Sequence, residues 1–126
     1  MMIKMLRRLL GKPETVAALP IDFSSIDSRE KVLAAAQEGV LFPILLFPKI
    51  FGGDESEANT VYVPAGIPEV QNQIVATMAR FVEQELVDNL RVEPQYKDSS
   101  FVPSTIRMYT SKSQAPGQFN PTIEIW

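Results

Sequence analysis

The chain has 126 residues, 45% hydrophobic and 21% charged, with a formal net charge of −3 and neither cysteine nor histidine. That length suits one domain with its own core, and the two missing residue types exclude disulfides, thiolate chemistry, histidine general bases and histidine- or cysteine-bound zinc. No apolar run reaches the ~20 residues of a membrane span and no signal-peptide pattern precedes Gly11-Lys12-Pro13, so a cytoplasmic location is expected.

Charge is unevenly placed. Lys4, Arg7, Arg8 and Lys12 come before the first acid, Glu14, and the apolar residues Met2, Met5, Leu6, Leu9 and Leu10 recur at helical spacing. This predicts a short basic amphipathic helix over 2–10, stopped by Gly11 and Pro13. Residues 1–12 are therefore separated from a single α+β domain over 13–126. Docking on protein accounts for such a helix better than a membrane does, since one weak anchor does not hold a bilayer. From Pro13 onward eight basic residues face fifteen acidic ones, about −7 in all. Such a surface repels a phosphate backbone, which argues against nucleic acid as a partner.

Asp27-Ser28-Arg29-Glu30 has the form of a capping box and opens a helix through Val32, Leu33, Ala36 and Gln37 that Gly39 ends. Val40 to Phe47 is short and β-prone, and Pro43 within it marks an edge or bulged strand. Lys49 to Asn59 reads as a turn, and Thr60 to Val63 as a second strand. A long amphipathic helix then begins near Pro68 and carries the stripe Val70, Ile74, Met78, Phe81, Val82 and Leu86 to about Asn89, more than twenty residues. Arg91–Tyr96, the turn Lys97–Ser100 and Phe101–Thr110 predict a hairpin. A polar loop, Ser111–Asn120, precedes a last strand, Thr122–Trp126. The expected architecture is a small, mostly antiparallel sheet with the long helix packed across it, plus the shorter helix and the N-terminal one.

Gly52-Gly53-Asp54-Glu55 resembles the signature of diguanylate cyclases, in which glycines permit a tight hairpin while acids hold metal and activate a hydroxyl. The resemblance covers four residues. Ser56 stands where the cyclase pattern has phenylalanine, and no upstream metal-binding aspartate is evident. The reading the residues favour is a solvated acidic turn, with Asp54, Glu55 and Glu57 as candidate ligands for a loosely held Ca²⁺ or Mg²⁺. No cofactor is expected.

At ~100° per residue, Glu85 falls inside the helical stripe and Asp88 in line with Val70. Both lie near the negative end of the helix dipole, so burial there would make either a candidate acid or base. The competing account is that the last turns overhang the sheet and leave both acids in water. Ser111-Lys112-Ser113 is not a catalytic pair, because neighbours on an extended segment point to opposite faces. Tyr62, Tyr96, Tyr109 and Trp126 are expected on or beside the sheet.

The final strand offers the most specific contact surface. Ile123 and Ile125 share one face, Trp126 closes the chain's last stretch, and Glu124 is the one charge that would oppose pairing at an edge. Ile123, Ile125 and Trp126 are therefore the candidate binding residues. Function is expected to be non-enzymatic contact with a protein partner, as in an adaptor, inhibitor or immunity-type factor. The alternatives are a small carboxylate-dependent enzyme or ligand-binding domain, and a homo-oligomeric assembly subunit. Deleting residues 1–12 is expected to leave a folded domain with altered association, checked by circular-dichroism melting and sedimentation of the truncated and full chains.

Overall fold

The computed structural model describes residues 21–126, and the helix expected over 2–10 lies outside them. The described residues form an α+β fold of two α-helices and six strands in which every ladder is antiparallel.

Helix α1, Arg29–Gln37, is capped by Ser28, whose hydroxyl accepts the Lys31 N–H at 3.2 Å. Asp27, expected in that role, instead takes the Lys31 ammonium at 2.8 Å. The two side chains are equally suited to capping, and the ion pair decides between them. Lys31 holds the Asp27 carboxyl below its usual range, first through this hydrogen bond and then through its charge. Gly39, at φ +76°, carries the chain out of the helix in the left-handed region.

Strands β1, Phe42–Leu45, and β2, Thr60–Val63, form a sheet of their own, with Phe42 opposite Val63 and Leu45 opposite Thr60. Leu46 donates to Asn59 O at 2.8 Å. By the alternation of an antiparallel ladder, Phe42 and Ile44 then face β2, and Pro43 points outward where its missing donor costs nothing. On the same outer side the buried Gln71 amide donates to Leu45 O at 2.6 Å.

Helix α2, Ile67–Glu83, starts after Gly66 at φ +91°, with Pro68 in its first turn. It has 17 residues and ends six short of the expected Asn89. Its inner line is Gln71, Ile74 and Met78, while Val70 and Val82 are exposed. The stripe is thus rotated from the expected one, because Gln71 turns inward to satisfy the β1 carbonyl. Among the described residues no helix is long and apolar enough to cross a membrane.

The second sheet is built on β3, Asn89–Gln95, and β4, Thr105–Lys112, paired from Asn89 opposite Ser111 to Gln95 opposite Thr105. Along the other side of β4 lie β5, Ala115–Pro116, and β6, Thr122–Glu124. Phe101–Ser104, expected as strand, is loop. Its position is fixed by the Phe101 N–H on Ile26 O at 2.8 Å and by the Ser100 hydroxyl on Phe23 O at 2.7 Å. Period-two alternation sends Leu90, Ile106, Met108 and Ile123 inward and leaves Arg91, Arg107 and Glu124 wet.

Ile44, Val61 and Val63 of the first sheet and Leu90, Ile106, Met108 and Ile123 of the second meet in one cluster with Met78 of α2, which is 0% exposed. A second cluster, Ile26, Val32, Leu41 and Val102, is covered by Phe23, Tyr62 and Trp126. Met78→Ala is expected to cost about 2–5 kcal/mol, and Val82→Ala on the wet face less than about 1 kcal/mol. Urea melts of the two variants check the rotation of the stripe.

Candidate functional site

The carboxylates singled out in the acidic turn do not converge. Asp54 accepts the Ser56 N–H at 3.1 Å, Glu55 takes the Lys49 ammonium at 2.6 Å, and Glu57 pairs with Arg29. The Ser56 side chain and N–H lower the Asp54 pKa, and the hydrogen bond and charge of Lys49 lower that of Glu55. Each acid is thus committed to a different partner, and among the described residues no group of three or more acids is placed to hold a metal ion. The Gly52–Gly53 part of the motif is structural. Gly52 adopts φ +93°, and a Cβ on Gly53 would overlap the Phe47 carbonyl.

Glu85 and Asp88 are off the helix. The Glu85 N–H donates to Val82 O and the Leu86 N–H to Phe81 O, both at 2.9 Å. This is a Schellman closure, with Glu85 at φ +61° in the position usually held by glycine. The carbonyls that end α2 are satisfied by the chain's own reversal, so Glu85 is exposed and outside the stripe. Asp88 is exposed as well but braced. Its N–H donates to Ser111 O at 2.9 Å, and its Oδ2 accepts the Ser113 N–H at 2.9 Å.

That brace serves a tight turn. Lys112 and Ala115 are ladder partners, and the two residues between them, Ser113 at φ +50° and Gln114 at φ +70°, are both left-handed, as a two-residue hairpin of the I′ kind requires. Asparagine and glycine usually occupy such positions. Here an aspartate from a neighbouring strand end supports residues that tolerate them less well.

Between this turn and the end of α2 lies a cleft of 180 Å³, lined by Phe81, Leu86, Val87, Lys112 and the segment Pro116–Phe119. The rings of Phe81 and Phe119 face each other at 5.5 Å and 48°. The far wall is held by its own hydrogen bonds. Thr110 donates its hydroxyl to Phe119 O at 2.8 Å and its N–H to Asn120 Oδ1 at 2.9 Å, and Asn120 donates to Gly117 O at 3.1 Å. Gly117 makes this approach possible, since any Cβ there would overlap Thr110. Of the four described non-glycine residues with positive φ, Glu85 and Ser113 are chain neighbours of the lining residues Leu86 and Lys112. Such strain gathers where structure is held for a purpose. Lys112, Phe81 and Phe119 converge only through tertiary structure, so no local signal in the sequence groups them.

The candidate binding residues at the chain's last strand occupy different depths. Ile123 is 3% exposed and belongs to the core, and Ile125 packs half-buried against it. Trp126 donates its indole N–H to Val102 O at 3.1 Å, lies 5.6 Å from Phe23 and carries Lys97 over its face at 5.0 Å. These side chains anchor β6 inward. What β6 offers outward is backbone. Met108 donates to Pro121 O and Ile125 to Ser104 O, so alternation directs Ile123 toward β4 and turns the N–H and C=O groups of Thr122 and Glu124 to the outer edge. Both of those residues are exposed.

Comparison of the chain with protein-family models, with curated proteins and with solved structures gives no match. Replacing Glu85 by glycine is expected to leave the cleft intact and raise stability by up to about 1 kcal/mol, because the left-handed penalty is removed. Thermal melts of Glu85→Gly beside the parent protein test the Schellman assignment, and destabilisation would refute it.

Proposed function

We propose that this domain works by contact with another polypeptide, which adds an extended segment to the outer edge of β6. The supporting observation is that, among the described residues, β6 pairs only with β4, while Thr122 and Glu124 present backbone groups on the other side. An unpaired row of this kind is a template for a further strand. Three features favour β6 over the open edges of β3 and β1. On β3, Arg91, Glu93 and Pro94 blunt the edge. On β1, Pro43 removes a donor and Gln71 occupies the Leu45 carbonyl. On β6 only Glu124 opposes addition, and the burial of Ile123 together with the Trp126 indole bond to Val102 O anchors the strand, which lowers the ordering cost of pairing.

The ladder also selects the substitution that tests the reading. Proline at 123 would remove a donor that faces β4 and damage the sheet itself. Proline at 124 removes a donor from the outer edge. Glu124→Pro is expected to melt within about 1 kcal/mol of the parent and to weaken association by about tenfold or more, the loss that corresponds to ~1.4 kcal/mol. Sedimentation reads self-association, and retention of a stoichiometric partner by immobilised parent or variant reads association with another protein. Equal association of the two, by both measurements, would overturn the assignment.

A further inference from the structure

The cleft beside the α2 terminus has the features of a small-molecule site, independent of the β6 edge. Its volume of 180 Å³ slightly exceeds the ~150 Å³ of an apolar cavity known to admit benzene. Phe81, Leu86, Val87 and Phe119 give it an apolar interior, and Leu86 is left 47% exposed at its mouth. Among its described lining residues one is charged, Lys112, and no carboxylate of the described residues lies within ion-pair distance of that ammonium. A concave site lined mainly by apolar residues with a small number of polar ones, here Lys112 and Gln118, is the usual form of a ligand pocket.

We infer that this cleft binds a small aromatic carboxylate, its ring lying against Phe81 and Phe119 and its anionic group on the Lys112 ammonium. Charge complementarity selects the anion, since Lys112 is the charge the lining supplies. The end of α2 would ordinarily repel a negative group, but the Phe81 and Val82 carbonyls are covered by the Leu86 and Glu85 N–H groups. The walls need little rearrangement, because the Thr110, Asn120 and Gly117 hydrogen bonds on one side and the Asp88–Ser113 brace on the other form within the protein alone. Preorganisation of this kind removes part of the cost of binding.

Sodium benzoate is the probe. Titrated into the isotope-labelled full chain, it is expected to give saturable amide shifts at Leu86, Val87 and Gly117–Phe119 with millimolar affinity. Benzyl alcohol, equal in ring and near-equal in size, is expected to bind at least about tenfold more weakly, since a charge-assisted hydrogen bond is the stronger kind. Lys112→Gln should erase that difference, and Lys112→Arg should keep it. The amide spectrum of each variant reports that the fold is retained. Absence of saturation, shifts centred elsewhere, or equal binding of benzoate and benzyl alcohol by the parent chain would each overturn the proposal.

Discussion

Among the described residues, two antiparallel sheets that share no backbone ladder are joined by side-chain packing, and they meet at Met78. Hydrogen bonds stabilise β1 with β2 and, separately, β3 through β6, but nothing in those ladders fixes one sheet against the other. Ile44, Val61 and Val63 come from one side, Leu90, Ile106, Met108 and Ile123 from the other, and the fully buried thioether chain of Met78 lies among them. Burying a methionine of this kind contributes about 1.5–3 kcal/mol, and its flexible side chain suits the irregular gap between two packed sheets. The Gln71 bond to Leu45 O adds a directional tie between α2 and β1.

The site geometry follows from where α2 stops. Had the helix run on to Asn89, Glu85 would have faced the core and Leu86 would have continued the stripe. Instead the chain reverses at Glu85, returns through Leu86 and Val87, and enters β3 two residues later. Val87 becomes core, Leu86 becomes the exposed lip of the cleft, and Asp88 is delivered to the β4–β5 turn. A helix ending thus supplies one wall of the cleft and the brace for the other. The segment Pro116–Phe119 that completes it leads through Asn120 and Pro121 into β6, so the two proposed contact surfaces lie on one short stretch of chain.

Electrostatics plays a local part. The three ion pairs Lys31–Asp27, Lys49–Glu55 and Arg29–Glu57 join exposed side chains, and such pairs contribute little each. Their value is positional, since they tie the α1 entrance and the acidic turn and leave no converging acids there. On the wet face of the larger sheet, Arg91 lies 4.4 Å over Tyr109 and pairs with Glu93 at 3.0 Å, so that guanidinium is already engaged. Lys112 is placed differently, at the end of β4 with an apolar cleft beside it.

Elements whose signal is local were legible in the sequence. Gly39 as a helix stop, Pro43 as the mark of an edge strand, Thr60–Val63, and the inward alternation of Ile123 beside Glu124 depend on φ preference, a missing N–H or a two-residue period, all carried by the residues themselves. The α+β class follows from their sum. What the sequence left open was settled between competitors of equal local merit. Ser28 and Asp27 both cap well, and the Lys31 ammonium chose. Val70 and Gln71 both fit a helix, and an unsatisfied β1 carbonyl drew the polar residue inward. Glu85 had no local reason to leave the helix, and the Schellman reversal placed it at a φ its own side chain disfavours. The cleft could not be read at all, since Phe81, Lys112 and Phe119 acquire meaning only once α2 and the β4–β5 turn lie side by side. The sequence by itself determined the kinds of elements and most of their order, because backbone preference acts within a few residues. Tertiary structure decided where α2 ends, which face it buries and which groups converge, because those outcomes depend on partners dozens of residues away.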